Sequence, residues 1–489
     1  MRIDFHAILP ELVLAGTAVL VLVVDLFLER LKVVANYLAL AGTVAAGVAL
    51  ATLVPGGTRS TFGGSFVVDD YAVLFKALFL GSLVLVLLMS NRYIDSGTYY
   101  QGEFYFLVLS SFTGMLLMPS SRDLLMLFLS LEIVSATGFI LAGFRKGDAR
   151  SNEGALKFLL IGVLSTAVML FGMSLVYGLT GSLKLTEIAA RLGQVGAEPV
   201  AVMAVFLVVT GFAFKVSAAP FHFWAPDTYE GSPVPVAAYL SVASKAAGFA
   251  GLLQLTFVAF PAYARYWAPA FAVLAALTML LGNVIALAQT NMVRLLAYSS
   301  VAQAGYMLVP FAVGGAAAAD RSRAFQAVLV YLLYYGITNL GAFAVVTLVS
   351  QRQPANLLAD YDGLGRRSAG LGIAMTLFLL SLAGWPPFAG WYAKFVVFQA
   401  ALAAGQTTTT VLAVFMAVMT VVAFFYYLSI CGRIWFSQPA EDTPAAAPAA
   451  SPLASLAIGL STAAVIVLGI LPGLLVQYAP TASLVASRG

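Results

Sequence analysis

Apolar stretches long enough to cross a lipid bilayer follow one another along nearly the whole chain. A membrane-spanning helix needs about 20 mostly apolar residues. Because 61% of the residues are apolar and only 9% are charged, too few polar side chains remain to cover a soluble core. We therefore predict an all-α integral membrane protein of about fourteen transmembrane helices. The expected spans are 7–28, 33–54, 71–90, 104–119, 123–144, 155–180, 200–225, 234–260, 266–288, 294–314, 324–350, 369–402, 409–435 and 453–477.

The residues that usually hold metals and cofactors are scarce. The chain has one cysteine, Cys431, and two histidines, His6 and His222. Iron–sulfur, haem and zinc sites need more such ligands than this. The dinucleotide fingerprint G-x-G-x-x-G is also missing. We therefore expect no cofactor and no metal in this chain, and the small net charge of +4 gives no reason to expect nucleic acid.

Two predicted helices share the pattern P-F-x-x-W. It runs from Pro220 to Trp224 and again from Pro387 to Trp391, where Gly384 and Pro386 precede it. Proline removes a backbone donor and clashes with the preceding turn, so neither helix is expected to stay regular. Paired broken helices indicate an inverted-repeat transporter, and chance kinks are the alternative. The expected repeats are residues 104–260 and 266–435, within one membrane domain of residues 1–489.

Ionisable residues lie deep inside four of the predicted spans. Lys245 is about 11 residues into its helix, roughly 16 Å deep, and Glu132 is roughly 14 Å deep. Lys215 and Lys394 lie beside the two P-F-x-x-W motifs. One charge at the bilayer centre costs about 2.5–3.5 kcal/mol on insertion scales, so such residues are functional candidates.

The deep basic residues are all lysines. A buried lysine can release its proton near neutral pH, whereas arginine stays protonated. A lysine whose carboxylate partner approaches and withdraws therefore becomes a switchable proton carrier. We predict that Glu132, Lys215, Lys245 and Lys394 transfer protons, and static Lys–Glu pairs that hold helices together are the alternative.

Other polar residues are weaker candidates. Lys157 and Lys76 lie near helix ends, where lysine side chains can extend to the membrane surface; we expect this of Lys76, and leave a role in proton transfer open for Lys157. His222 follows the first break and either relays protons or makes a structural hydrogen bond. Polar residues elsewhere could hold water between the charges, or only join helices: Tyr298, Ser299, Ser300, Gln303, Tyr334 and Tyr335.

The motifs resemble those of the antiporter-like proton-channel subunits of respiratory complex I, the NADH–quinone oxidoreductase. The resemblance covers the full length and is strongest in F-K-V-S-A-A-P-F-H-F-W-A-P-D (214–227), Y-E-G-S-P (229–233) and L-L-A-Y-S-S (295–300). The opening L-P-E-L (9–12) and Asp25 are most similar to the branch called subunit N. Subunit M has a glutamate where this chain has Lys394. Subunit L has a long carboxy-terminal lateral helix, which this chain is not expected to have.

The resemblance implies roles for particular residues. It pairs Glu132 with Lys215, makes Lys245 the central connecting lysine and makes Lys394 the terminal one. Many relatives have histidine where this chain has Gln303. It also implies a bacterial inner-membrane location, and partner subunits that hold the NADH, flavin, iron–sulfur and quinone sites.

Four functional hypotheses follow. The first is a proton-translocating, non-redox subunit of NADH–quinone oxidoreductase. The second is a subunit of a Mrp-type cation/proton antiporter, and the third is a subunit of a proton-pumping membrane hydrogenase, because both kinds of complex share these motifs. The fourth is a structural membrane anchor whose buried charges serve assembly alone. Neighbouring subunits would separate the first three, and charge-removing variants would test the fourth.

Overall fold

The computed structural model describes residues 3–27, 34–95, 100–314, 318–351, 356–439 and 451–478. Within these ranges, twelve helices are long and apolar enough to cross a membrane. Two shorter apolar helices, Pro199–Lys215 and Ala369–Ala383, end where the sequence predicts breaks. The chain is thus a multi-pass, all-α membrane protein with two broken helices, while the predicted number of about fourteen spans is not confirmed.

The described residues of the first half of the chain form nine α-helices and a small hairpin. The hairpin pairs two antiparallel strands and follows the second helix. In chain order these elements are α1 (Leu9–Phe27), α2 (Val34–Ala51), β1 (Arg59–Thr61), β2 (Phe66–Val68), α3 (Asp70–Asp95), α4 (Gln101–Leu117), α5 (Leu124–Ala142), α6 (Ala149–Thr180), α7 (Leu185–Val195), α8 (Pro199–Lys215) and α9 (Trp224–Gly231).

The second half begins with one continuous helical span, Val234–Ala259, in which two π-helical turns interrupt the α-helix. The first of these turns ends at Ser244, directly before Lys245. The helices are α10 (Val234–Tyr239), α11 (Lys245–Gln254), α12 (Ala264–Leu287), α13 (Met292–Leu308), α14 (Ala318–Ser350), α15 (Leu364–Arg367), α16 (Ala369–Ala383), α17 (Ala389–Ala403), α18 (Thr407–Phe436), α19 (Pro452–Ile470) and α20 (Gly473–Val476).

The first break separates α8 from α9. Its freed backbone groups find side-chain partners: the Trp224 indole donates to the Phe214 carbonyl at 3.4 Å, and the Ala219 amide donates to Thr278 Oγ1 at 2.9 Å. Ser217 has a φ of +58°, a backbone conformation that residues other than glycine rarely adopt. Non-helical backbone is tolerated at membrane depth only when protein or water satisfies it in this way.

The second break separates α16 from α17. Gly384 ends α16 with a φ of +94°, a conformation that glycine adopts without steric cost. The Ser381 hydroxyl accepts the Gly390 amide at 3.0 Å across the break. The motif tryptophans differ, because Trp224 is buried while Trp391 is exposed. Both breaks contain a cis peptide bond, before Pro220 and before Pro387.

The sequence misplaces several helix boundaries and misses several short elements. The last span was expected to reach residue 477, but α19 ends at Ile470. Pro472 follows, and the residue before a proline is driven out of the helical region, as the Leu471 φ of −119° and ψ of 64° show. The β1–β2 hairpin and the amphipathic helix α7 were not predicted, because both are too short or too polar to register as spans.

Burial separates a protein-enclosed centre from a lipid-facing shell. In the apolar 18-residue stretch of Val234–Ala259, 100% of the residues are buried. The share is 94% in the corresponding stretches of Met292–Val313 and Ala319–Ser350. In the corresponding stretch of α1, only 28% of the residues are buried. The three enclosed spans therefore provide an interior in which charged groups avoid contact with lipid.

Candidate functional site

The site begins at α5, where Glu132 and Ser135 lie one helical turn apart. Glu132 is half-buried, and the Thr166 hydroxyl donates to its Oε1 at 2.9 Å. Lys215, the last residue of α8, is 1% exposed and donates to Ser135 Oγ at 3.1 Å. Glu132 acts electrostatically on Lys215, while each group hydrogen-bonds to a hydroxyl. This is the arrangement expected of a carboxylate that modulates a nearby lysine.

The Lys215 side chain contacts the helix that carries Lys245 at Gly248. Lys245 begins α11, and Gly248 lies one turn further along the same helix. A Cβ atom on Gly248 would lie 2.9 Å from Val216 Cγ1 and 3.1 Å from Lys215 Cγ. The lysine stem of α8 therefore packs directly on the backbone of the helix that carries Lys245.

We expect Gly248→Ala to lower the proton-transfer activity because the added methyl group displaces the Lys215 stem. Tightly packed interiors lose about 1–3 kcal/mol when one methyl is forced in. Gly81→Ala on α3 is the matched control, since its Cβ would meet nothing within 4 Å. Coupled NADH oxidation in membranes measures both variants, and equal activity of the two would show that Lys215 tolerates movement.

The row continues from Lys245 to α13 and α14. Lys245 is 2% exposed and donates to Ser300 Oγ at 2.8 Å. The Tyr335 hydroxyl interacts with Ser300 and donates to the Ser241 carbonyl at 3.1 Å. Tyr335 also lines a small cavity that reaches Lys394. Ser300 and Tyr335 thus extend the polar contacts of Lys245 toward the cavity beside Lys394.

Lys394 closes the row at the second helix break. It is 7% exposed, donates to the Ala383 carbonyl at 2.9 Å, and lies 4.9 Å above the Tyr306 ring. Gln303 donates to the neighbouring Leu382 carbonyl at 3.2 Å. Both side chains therefore hold carbonyl groups that the end of α16 leaves free.

A cavity of about 10 Å³ adjoins Lys394. This volume is close to what one water molecule needs, and a buried water also needs two or more polar partners. The polar groups that line the cavity supply them: Gln303, Tyr331, Tyr335, Thr338, Ser381 and Lys394. One water molecule therefore fits beside Lys394 and Tyr335.

Tyrosine and hydroxyl partners complete the site. Ser299 hydrogen-bonds to the Tyr427 hydroxyl at 2.5 Å, and Gln303 donates to the same hydroxyl at 3.3 Å. The Tyr331 hydroxyl donates to Gln303 Oε1. Sequence reasoning named Ser299 and Gln303 but missed several partners, which no local motif marks: Ser135, Thr166, Tyr331, Thr338, Ser381 and Tyr427.

Three further candidates make no hydrogen bond to the row among the described residues. His222 is 3% exposed, and its Nδ1 atom finds no hydrogen-bond partner among the described residues. Tyr298 is half-buried, and the row's hydrogen bonds in the described structure do not include it. The Tyr334 hydroxyl is directed away from the row, to the Pro472 carbonyl at 3.2 Å.

Lys157 belongs to a surface cluster instead of the buried row. Its side chain is 45% exposed and pairs with Glu153 at 2.7 Å and Asp227 at 2.6 Å. Arg294 contacts the other Asp227 oxygen at 2.6 Å and also Glu230 at 2.9 Å. This cluster joins α6, α9 and α13 at the bundle surface, so Lys157 lies where the sequence allowed it to reach solvent.

The structure corrects the prediction made for Lys76. Its position near the start of α3 indicated a side chain extended to the surface, but it is 0% exposed and pairs with Glu11 of α1 at 2.7 Å. The hairpin between α2 and α3, which the sequence did not predict, covers this end of the bundle: the Lys76 ammonium lies 4.9 Å above the ring of Phe66 in β2.

Comparison with known proteins places this site in a family. The family model described as "NADH:quinone oxidoreductase/Mrp antiporter, TM" matches residues 121–420. NADH-quinone oxidoreductase subunit N 2 of Streptomyces griseus is 46% identical over 92% of this chain and 86% of its own length. Subunit N of Trichlorobacter lovleyi is 40% identical over 98% of this chain and 97% of its own.

Solved structures agree with the fold. A chain of respiratory complex I from Thermus thermophilus matches with a TM-score of 0.78 and 33% identity, over 96% of this chain and 100% of that one. A chain of the Mrp complex from Dietzia matches with a TM-score of 0.82 over 97% of both chains, but at 22% identity it shows the shared fold alone. The chain therefore belongs to the subunit N family of NADH–quinone oxidoreductases, within the larger family of NADH:quinone oxidoreductase and Mrp antiporter membrane subunits.

Proposed function

We propose that this chain is a proton-translocating membrane subunit of NADH–quinone oxidoreductase, through which quinone reduction elsewhere in the complex drives protons. The observation that carries the proposal is a row of three buried lysines. Lys215 packs on the helix that carries Lys245, and hydroxyl groups and a small cavity extend from Lys245 toward Lys394. Glu132 flanks the row beside Lys215. The row lies in a protein-enclosed interior. A structural anchor would need none of these connections.

The chemistry of the row favours proton transfer. Each lysine donates to a neutral oxygen, of Ser135, Ser300 or the Ala383 backbone, instead of to a carboxylate. A neutral oxygen accepts from a protonated or a neutral amine, so the contact survives loss of the lysine proton. We infer that Glu132, Lys215, Lys245 and Lys394 exchange protons in sequence.

Relatives decide between the competing complexes. The relatives described above that are 40–46% identical to this chain are named as quinone oxidoreductase subunits. The Mrp complex and an archaeal sulfane sulfur reductase match at only 20–22% identity, which supports the fold alone. We therefore favour respiratory complex I, in which partner subunits would carry the NADH, flavin, iron–sulfur and quinone sites. This chain would be a non-redox subunit of that translocase in the bacterial inner membrane.

We also propose that residues 104–260 and 266–435 are inverted repeats. Each contains one broken helix with a P-F-x-x-W motif and a buried lysine beside the break. The lysines differ in position, since Lys215 ends the helix before its break and Lys394 lies in the helix after its break. Superposing the first range on the inverted second range should bring the two breaks together.

Purification of the native complex through an affinity tag on this chain tests the proposal. We expect NADH:quinone oxidoreductase activity to copurify, together with subunits that contain flavin and iron–sulfur clusters. A tagged chain that copurifies with antiporter or hydrogenase subunits and lacks NADH oxidation would contradict it.

A further inference from the structure

A second buried charge pair lies outside the residues that the family model matches. Lys76 of α3 and Glu11 of α1 are 0% and 4% exposed, and their charged groups are 2.7 Å apart. Beyond this contact, neither group finds a hydrogen-bond partner within the described ranges. Buried ion pairs are costly unless further hydrogen bonds satisfy them, so an under-satisfied pair needs an explanation.

The surroundings of the pair lead to the protein surface. The charges that act on Lys76 are those of Glu11, Asp69 and Arg122. Asp69 is 25% exposed at the side chain and pairs with Arg122 at 2.6 Å. The hairpin lies over this region, and the Arg122 amide donates to the Ser65 carbonyl at 2.8 Å. A partly exposed carboxylate thus lies within electrostatic range of the buried pair.

The two basic residues of this region differ in kind. The Arg122 guanidinium is held by several acceptors: besides Asp69, it donates to Gln254 Oε1 at 2.9 Å and to the Pro119 carbonyl at 2.7 Å. This is how a permanent charge is fixed in a structure. The buried position instead has a lysine with unused donors, which can release a proton. A static pair would be better served by arginine.

We infer that Glu11 and Lys76 form a proton-binding site separate from the row, loaded from the surface that carries the hairpin. In the unloaded state the Lys76 amine is neutral beside the ionised Glu11 carboxylate, and it takes up one proton from solvent through Asp69. Glu11 stays ionised, so the loaded pair is the Lys76–Glu11 ion pair and carries no net charge. Release of the same proton restores the starting state.

The site also contacts the row through the helices. The Tyr71 hydroxyl of α3 donates to the Ala250 carbonyl at 2.7 Å, and Ala250 lies in α11 with Lys245. The Arg122 contact with Gln254 reaches the same helix. A change of charge at Lys76 therefore occurs on α3, which contacts α11, the helix that carries Lys245.

Lys76→Arg in the intact complex tests the inference, since arginine keeps the charge but cannot release a proton. The measurement is the rate of proton pumping during NADH oxidation in reconstituted vesicles; this readout rests on the proposed function. We expect normal assembly and about tenfold slower pumping, as when one transfer step is blocked. Lys146→Arg is the matched control, because Lys146 forms an exposed pair with Glu103 at 3.7 Å.

The double variant Glu11→Gln with Lys76→Met removes both charges and keeps similar shapes, so it separates packing from proton binding. We expect it to assemble and to pump as slowly as Lys76→Arg. Normal pumping by either variant, or failure of both to assemble, would make the pair purely structural and overturn the inference. Lys215→Ala in the same vesicles identifies the source of a failure, since normal pumping there contradicts the proposed function itself.

Discussion

Replacing Lys215 or Glu132 by alanine is expected to lower coupled proton pumping by about two orders of magnitude, the usual effect of removing a general acid or base. Lys215 is buried and bonded to Ser135, with Glu132 as its modulating carboxylate. Each contact that is lost involves one hydroxyl group, so assembly should persist. Proton pumping and quinone reduction in membrane vesicles, with the amount of assembled complex measured alongside, check this result.

Two comparisons sharpen this test. Lys215→Arg should rescue poorly, because arginine keeps the charge and cannot release the proton. Lys184→Ala is the control: this lysine is 48% exposed and only 3.8 Å from its surface partner Glu187. Full pumping by both alanine variants of the pair, or good rescue by arginine, would make the pair a static charge contact.

The second large effect is expected at Lys245. Lys245→Met preserves the length of the side chain but removes the proton carrier between Lys215 and Lys394. Since the methionine side chain is apolar and of similar volume, the enclosed helix should still pack. We expect pumping to fall by about two orders of magnitude here as well, measured in the same vesicles.

Ser300→Ala provides a graded comparison for Lys245. It removes one hydrogen bond of 2.8 Å and leaves the lysine in place, so it should cost about 1 kcal/mol and slow pumping about fivefold. An equal loss in both variants would indicate damage to packing. Unchanged pumping in Lys245→Met would show that protons bypass the central lysine.

The sequence predicts well which lysines of the row are buried and where two helices break, because both properties depend on local composition. Lys215, Lys245 and Lys394 are buried as their apolar surroundings indicate, and the prolines end helices where expected. Partners are harder to predict. Tyr427 reaches Ser299 from more than a hundred residues away, and Glu11 reaches Lys76 from another helix. Such pairs are set by tertiary packing, which no spacing within one helix encodes.

Lys76 illustrates the limit most clearly. A lysine near a helix end normally extends its ammonium group to the surface, and at this position the unpredicted hairpin closes that route. The short apolar β2 strand, Phe66–Val68, is too small to be read from the sequence, yet the ring of Phe66 covers the buried ammonium. Burial therefore depended on an element with no sequence signal of its own.

Ordered water along the row tests the central claim most directly. A high-resolution map of the intact complex should contain water in the cavity bordered by Gln303, Tyr335 and Lys394, and polar density joining Lys245 to that cavity. All four proton-transfer residues should point into protein and away from lipid. A dry apolar layer wider than about two waters between Lys245 and Lys394 in every observed state would contradict a continuous proton path, because protons do not cross hydrocarbon without polar stops.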